Sequence, residues 1–216
     1  MDRRSCFLVK VIVTTLYMLW YDEGVKRLWL YYLYLIVIWG AFRYFVDLPE
    51  VIEELWFKPV LWLVPLFWWN LALKENVEMF GKKWGRSLFL GSIVSIAYFV
   101  VLNQGSWSSF SVDWNVIGVV LVTAMVEEMT FSGFVAGYLE RVQKGRWINY
   151  LIVGLMVAVI RLPILVFVHG ATNKEIIGVM LIAFASGVIN AWIRIRSGNV
   201  AGSILARLGM NLAALG

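Results

Sequence analysis

The feature that most constrains this 216-residue chain is a succession of apolar runs separated by short charged connections. Each run approaches the ~20 helical residues needed to cross a bilayer core. The clearer ones are Leu28 to Val46 (broken by Arg43), Pro59 to Leu73, Ser87 to Leu102, Trp114 to Leu139, Trp147 to about His169, Ile176 to Ile193, and Asn199 to the C-terminus. Cys6 to Tyr21 is shorter, contains Lys10, and either crosses or lies at the interface, so the expected count is seven or eight spans. No small-x-small site closes that first run before Tyr21, which argues against a cleaved signal peptide. The runs are too long and too continuously apolar for barrel strands, and backbone groups in lipid must be satisfied within the segment. The expected fold is therefore all-α, a polytopic transmembrane helical bundle.

Composition closes off the alternatives. At 61% hydrophobic, 16% aromatic and 15% charged, the chain lies outside the range of soluble, disordered, collagen-like or nucleic-acid-binding proteins. The single cysteine, Cys6, excludes an internal disulfide, and the single histidine, His169, leaves little room for a zinc cage. The net charge of +5 is informative only through its position. Lys74, Lys82, Lys83 and Arg86 form one cluster, Arg141, Lys144 and Arg146 a second, Arg194 and Arg196 a third. These occupy every second connection, which predicts a cytoplasmic side. Asn103 to Asp113 has no Lys or Arg, and Asp47 to Lys58 has four acids against one base.

Polar residues inside the runs carry the remaining information. Glu127 and Glu128 sit in Trp114 to Leu139, where the only other ionisable side chain is Tyr138. A carboxylate near the centre of a span costs about 2.5–3.5 kcal/mol, so an adjacent pair needs partners or water. Arg161, His169 and Arg207 fall within or at the ends of runs and are the candidate partners, with Asn190 and Asn211 as neutral donors. On a helix Glu127 and Glu128 point ~100° apart, one toward a cavity and the other toward a neighbouring helix. Arg207 and Asn211, four apart, share a face, and Gly133 and Gly137 would let a neighbouring helix approach closely. By helical rise, Glu127 lies ~20 Å in from Trp114 and Arg207 ~12 Å from Asn199, which agree in a core ~30 Å thick. His169, counted from Trp147, falls near the opposite surface unless Pro163 kinks the helix, and Arg161 suggests a later membrane entry for this run.

Val-Glu-Glu-Met-Thr-Phe-Ser-Gly (126–133), Leu-Val-Phe-Val-His (165–169) and Ser-Ile-Leu-Ala-Arg-Leu-Gly-Met-Asn (203–211) resemble, in order, the three motifs of the CAAX prenyl endopeptidase and bacteriocin-processing (CPBP) intramembrane proteases. The resemblance divides the chain into N-terminal spans (1–113) and a motif-bearing core (114–216) within one integral-membrane domain. It implies Glu127 as the base that activates water, Glu128 as an assisting carboxylate, and His169 and Asn211 as groups that position water or hold the oxyanion. Two positions depart from the family pattern: Ser132 stands where it has arginine, and Arg207 where it has the first histidine of the third motif. A cation lost at 132 and gained at 207 preserves charge balance while moving the cation to another helix. Glu53-Glu54-Leu-Trp-Phe-Lys58-Pro59 mimics the first motif, but it is read as a charged connection and set aside.

Peptide hydrolysis in a membrane requires a held water, a base, and donors aimed at the developing oxyanion. Burial makes a carboxyl group a stronger base, whereas a guanidinium beside it works in the opposite direction. Arg207 therefore either replaces a histidine as oxyanion donor or locks Glu127 or Glu128 into an ion pair. The expected substrate is a membrane-associated or prenylated peptide, with the lipid bilayer as surroundings and no nucleic acid. Family resemblance allows zinc, but His169 with two carboxylates is a poor ligand set, so no metal is expected. The competing readings are a catalytically inactive protein of the same fold that binds a membrane peptide or partner, and a proton-coupled transporter using Glu127 or Glu128.

Overall fold

An apolar run in lipid satisfies its backbone by coiling, and the described residues do so in seven helical stretches. The computed structural model describes residues 23–46, 48–72, 74, 77–102, 114–143, 145 and 147–213. Cys6 to Tyr21 lies outside them. Helix α1 is Glu23–Phe45. Stretch α2 covers 50–72, in which Glu50–Ile52 leads through a π-helical turn, Glu53–Phe57, into Lys58–Ala72. Helix α3 is Trp84–Leu102. Stretch α4 (114–142) joins Trp114–Glu128 to Ala136–Val142 through a second π-helical turn, Met129–Val135. Stretch α5 (148–168) contains Ile148–Val159 and a third π-helical turn, Ile164–Val168. Helices α6 (Asn173–Ser197) and α7 (Ala201–Ala213) complete the bundle. Five of these, α1 and α3 to α6, are long and apolar enough to cross a membrane.

Proline accounts for one of the three widened turns and for the break that precedes another. Pro59 has no N–H to give and its ring crowds the carbonyl four residues earlier. The helix opens there, and the Lys58 N–H reaches back five residues to the Glu53 carbonyl. In α5 the chain breaks at 160–161 before Pro163, after which the His169 N–H bonds the Ile164 carbonyl at 3.1 Å. The turn in α4 contains no proline, and its Ala136 N–H reaches the Phe131 carbonyl. Helix α6 opens on a capping box between Thr172 and Glu175 and closes on Gly198 at φ 69°, where a glycine takes the left-handed conformation without steric cost.

The core is aromatic. Trp39, Trp62 and Phe131 meet edge to face at 5.6 and 5.8 Å, an arrangement favoured by the ring quadrupoles. Tyr31 and Tyr32 are buried, and their hydroxyls donate to the Trp62 and Met156 carbonyls at 3.1 and 2.7 Å, tying α1 to α2 and α5. The outward faces keep Trp56, Leu71, Phe89 and Ile96 exposed, as a lipid-facing surface requires. The three basic connections converge at one end. Arg194 donates to the Glu78 carbonyl, Asn199 Nδ2 donates to the Gly81 carbonyl at 2.7 Å, and Glu78, Arg141 and Arg194 line one cleft.

Small residues allow α7 to lie directly on α3. A Cβ on Gly202 would overlap the Ser87 carbonyl, one on Gly91 the Gly202 carbonyl, and one on Gly209 the Ser95 hydroxyl. The Ser87 hydroxyl accepts the Gly202 N–H and donates to the Asn199 carbonyl, both at 2.8 Å. Gly133 and Gly137 serve a different purpose from the one expected. They admit the connection at 77–79, through Met79 and Val77, rather than a neighbouring helix backbone. Arg161 also sits differently: α5 begins at Ile148, so this arginine lies deep in the stretch and does not mark its entry.

Since the α3–α7 contact is backbone on backbone, Gly202→Val has nowhere to relax and should cost at least the ~1–3 kcal/mol of ordinary overpacking. The expected readout is a thermal midpoint in detergent lowered by several degrees, whereas Gly178→Val, with open space around its Cα, leaves it unchanged.

Candidate functional site

Four acids and four bases from five helical stretches meet in the interior: Glu53, Glu54, Glu127 and Glu128 with Arg43, Lys58, Arg161 and Arg207. The cluster is formally neutral, which is the condition for placing so much charge in an apolar bundle. At one end Arg43 pairs with Glu53 and, at 3.1 Å, with Glu54. Lys58 Nζ lies 2.6 Å from Glu54 Oε2 and 2.8 Å from Glu127 Oε1, joining the two halves of the chain. Glu127 Oε2 pairs with Arg161 and stands 3.7 Å from Arg207 Nε. That nitrogen is 2.8 Å from Glu128 Oε1, which also accepts from Asn190 Nδ2 at 2.8 Å. Ser132 donates to the other Glu128 oxygen, and Ser186 Oγ accepts from Arg207 Nη1 at 3.1 Å.

The angular separation expected for the acid pair is observed. Glu127 faces α2 and α5, while Glu128 faces α6 and α7. Arg207 is fully buried, and its guanidinium is the cation set against Glu128 from a different helix than position 132 occupies. Ser132 sits at the centre of the widened turn and bonds Glu128 four residues back.

Beside the cluster runs a groove of about 450 Å³ between α5, α6 and α7. Its walls include Leu165, Ile182 and Met210, and its polar residues are Arg161, His169 and Asn211. Arg161 belongs to both regions: its side chain is 24% exposed, and its guanidinium holds Glu127, which is itself buried. His169, at the end of α5, is exposed and also borders a second cavity of about 390 Å³ lined by Arg43 and Glu53. The structure thus brings Arg161, His169 and Asn211 onto one groove and leaves Glu127 behind Arg161, with Glu128 deeper among α4, α6 and α7.

Glu53, Glu54 and Lys58 correct the sequence reading. They are buried in a helical stretch rather than set in a charged connection, and they complete the cluster. The available signal was their spacing: Glu54 and Lys58 are four apart, so on a helix they face one another. The donor set does not suit a metal. Among the described residues no three His, Cys, Asp or Glu side chains are grouped to hold an ion, and each of the four carboxylates is turned to a cation of the chain.

A helical membrane bundle with a buried, neutral acid–base cluster behind a groove defines the class of protein. Residues 109–213 match the family model of type II CAAX prenyl endopeptidases, Rce1-like, so the part of the chain carrying Glu127, Glu128, His169, Arg207 and Asn211 is similar to this membrane-embedded CAAX-protease family. No curated protein and no solved structure matches the chain.

Removing one partner of a buried pair leaves an uncompensated charge, at about 3–5 kcal/mol. Arg207→Met should therefore lower the thermal midpoint in detergent strongly. The double variant Arg207→Met/Glu128→Gln, which removes a neutral pair, should recover more than half of the loss.

Proposed function

We propose that this protein is an intramembrane peptidase of the cell membrane, with its basic connections on the cytoplasmic side, that hydrolyses a peptide bond of a membrane-associated or prenylated substrate. The observation that carries this reading is the groove: Arg161, His169 and Asn211 line it, and the carboxylate of Glu127 lies directly behind Arg161.

In this reading a peptide enters along the apolar wall and its polar backbone draws Arg161 away from Glu127. The freed Oε2 then takes a proton from water as the water oxygen bonds the carbonyl carbon. Arg161, His169 and Asn211 supply donors to the resulting oxyanion, at a low-dielectric site where such donors are most effective. Collapse of the intermediate breaks the C–N bond, and the proton held by Glu127 passes to the departing amine. The products are a carboxylate and an amine. Glu128 has a supporting role, fixing α4 against α6 and α7 through Asn190 and Arg207.

A second reading has its own support. Both oxygens of Glu127 are engaged by cations, and Arg207 occupies the position of the family histidine. This favours an inactive protein that binds a membrane peptide in the same groove. Cleavage of fluorogenic prenylated and unprenylated peptides by the protein in liposomes separates the two. The peptidase predicts turnover that falls at least 100-fold in Glu127→Gln and at least 10-fold in His169→Ala. Equal product in all three proteins, or none in the wild type with peptide binding intact, would leave the inactive binder as the reading.

A further inference from the structure

The family match begins at residue 109, yet the only direct partner of Glu127 Oε1 among the described residues comes from residue 58. We propose that Lys58 is a positioning residue for the peptidase site: it anchors Oε1 of Glu127, keeps the carboxylate charged, and leaves Oε2 as the oxygen turned toward the groove. The inference rests on Glu127 being the base under Proposed function, and it makes the N-terminal half a working part of the site.

Three observations support it. First, the division of labour at Glu127 is by oxygen. Oε1 meets Lys58 at 2.8 Å, whereas Oε2 meets Arg161, which borders the groove, and Arg207 only at 3.7 Å. Without Lys58 the two guanidinium groups would compete for both oxygens, and the carboxylate plane would be free to turn. Second, Lys58 cannot itself swing away. Its side chain is buried, and Nζ sits 5.7 and 5.3 Å from the ring centroids of Trp39 and Trp62, within reach of a cation–π attraction. Third, its other contact is fixed from behind. Glu54 Oε2 takes Lys58 at 2.6 Å and the Thr123 hydroxyl at 2.8 Å, while Glu54 Oε1 takes Arg43 at 3.1 Å.

The charged and titratable groups around Glu127 are few. Lys58 comes from α2, Arg161 from α5, Arg207 from α7 and Glu128 from its own helix. Glu54, Arg43 and Glu53 stand behind Lys58, and Tyr98 of α3 stands near Arg207 and Glu128. Removing Lys58 therefore takes from Glu127 Oε1 the ammonium that stabilises its charge.

The test uses the full chain in liposomes and two readouts, peptide cleavage and labelling of Glu127 by a hydrophobic carbodiimide, which attacks only the protonated carboxyl group and is scored by mass spectrometry. Lys58→Met should lower kcat at least 10-fold with KM within about twofold, and raise the Glu127 adduct several-fold at neutral pH. Lys58→Arg should return both to within about threefold of wild type, a rescue that a space-filling role does not predict. Should Lys58→Met fail to fold, Glu54→Gln/Lys58→Met removes a neutral pair and should show the same loss and the same labelling. Wild-type labelling of Glu127 in either folded variant overturns the inference, whatever the cleavage assay gives. If the wild type cleaves nothing, the peptidase reading fails by itself, and increased labelling in Lys58→Met still supports Lys58 as the residue that holds the charge of Glu127.

Discussion

The bundle depends on electroneutrality at its centre. A single charge in the middle of a membrane span is expensive, and eight are tolerable only as a closed set. Here the set closes with four acids and four bases, and every acid touches at least one base. Because the members come from α1, α2, α4, α5 and α7, the cluster also specifies which helices must be neighbours and at what depth. Apolar packing against lipid is permissive about register. A guanidinium that must meet one carboxylate is not, since a slip of one turn leaves both unpaired.

Backbone geometry is adjusted around the same set. The widened turn at Glu53–Phe57 contains two of the acids, the one at Met129–Val135 follows the other two directly, and the one at Ile164–Val168 lies just beyond Arg161. A regular helix offers side chains at fixed angles, and the extra residue of a π-helical turn changes the angle for everything that follows. Pro59 favours the first of these turns from sequence and Pro163 breaks the helix just after Arg161, so the local rule against proline in a helix is broken beside the charges.

Much of this was legible from the sequence, and the gaps have physical causes. The helical class, the lipid-facing surface and the polar interior follow from hydropathy and the cost of Glu127, Glu128, Arg161 and Arg207 in a span. The angular split between the two glutamates follows from helix geometry. Glu53, Glu54 and Lys58 are not legible as buried because charge density reads as solvent exposure, and only partners outside the segment, Arg43 and Glu127, convert that density into burial. Gly133 and Gly137 were legible as close contacts but not as contacts with the 77–79 connection, since a small-residue pair does not say what approaches it. The break before Pro163 follows from the proline, while the placing of Arg161 and His169 on one groove depends on where α6 and α7 dock.

The cluster also combines stability with the exchangeable contact that the proposed base needs. A lone buried glutamate would be neutral and structurally costly, and a glutamate in one tight ion pair would be charged but inert. Glu127 has a buried ammonium on one oxygen and a partly exposed guanidinium on the other, and the two contacts differ in what displacing them costs. Lys58 is held between two carboxylates and two indoles, so moving it would expose several groups at once. Arg161 lies at the groove, where an incoming polar group can take the place of the carboxylate it leaves. The asymmetry keeps the charge in place while leaving one oxygen free to exchange its partner, and that is what the proposed base requires.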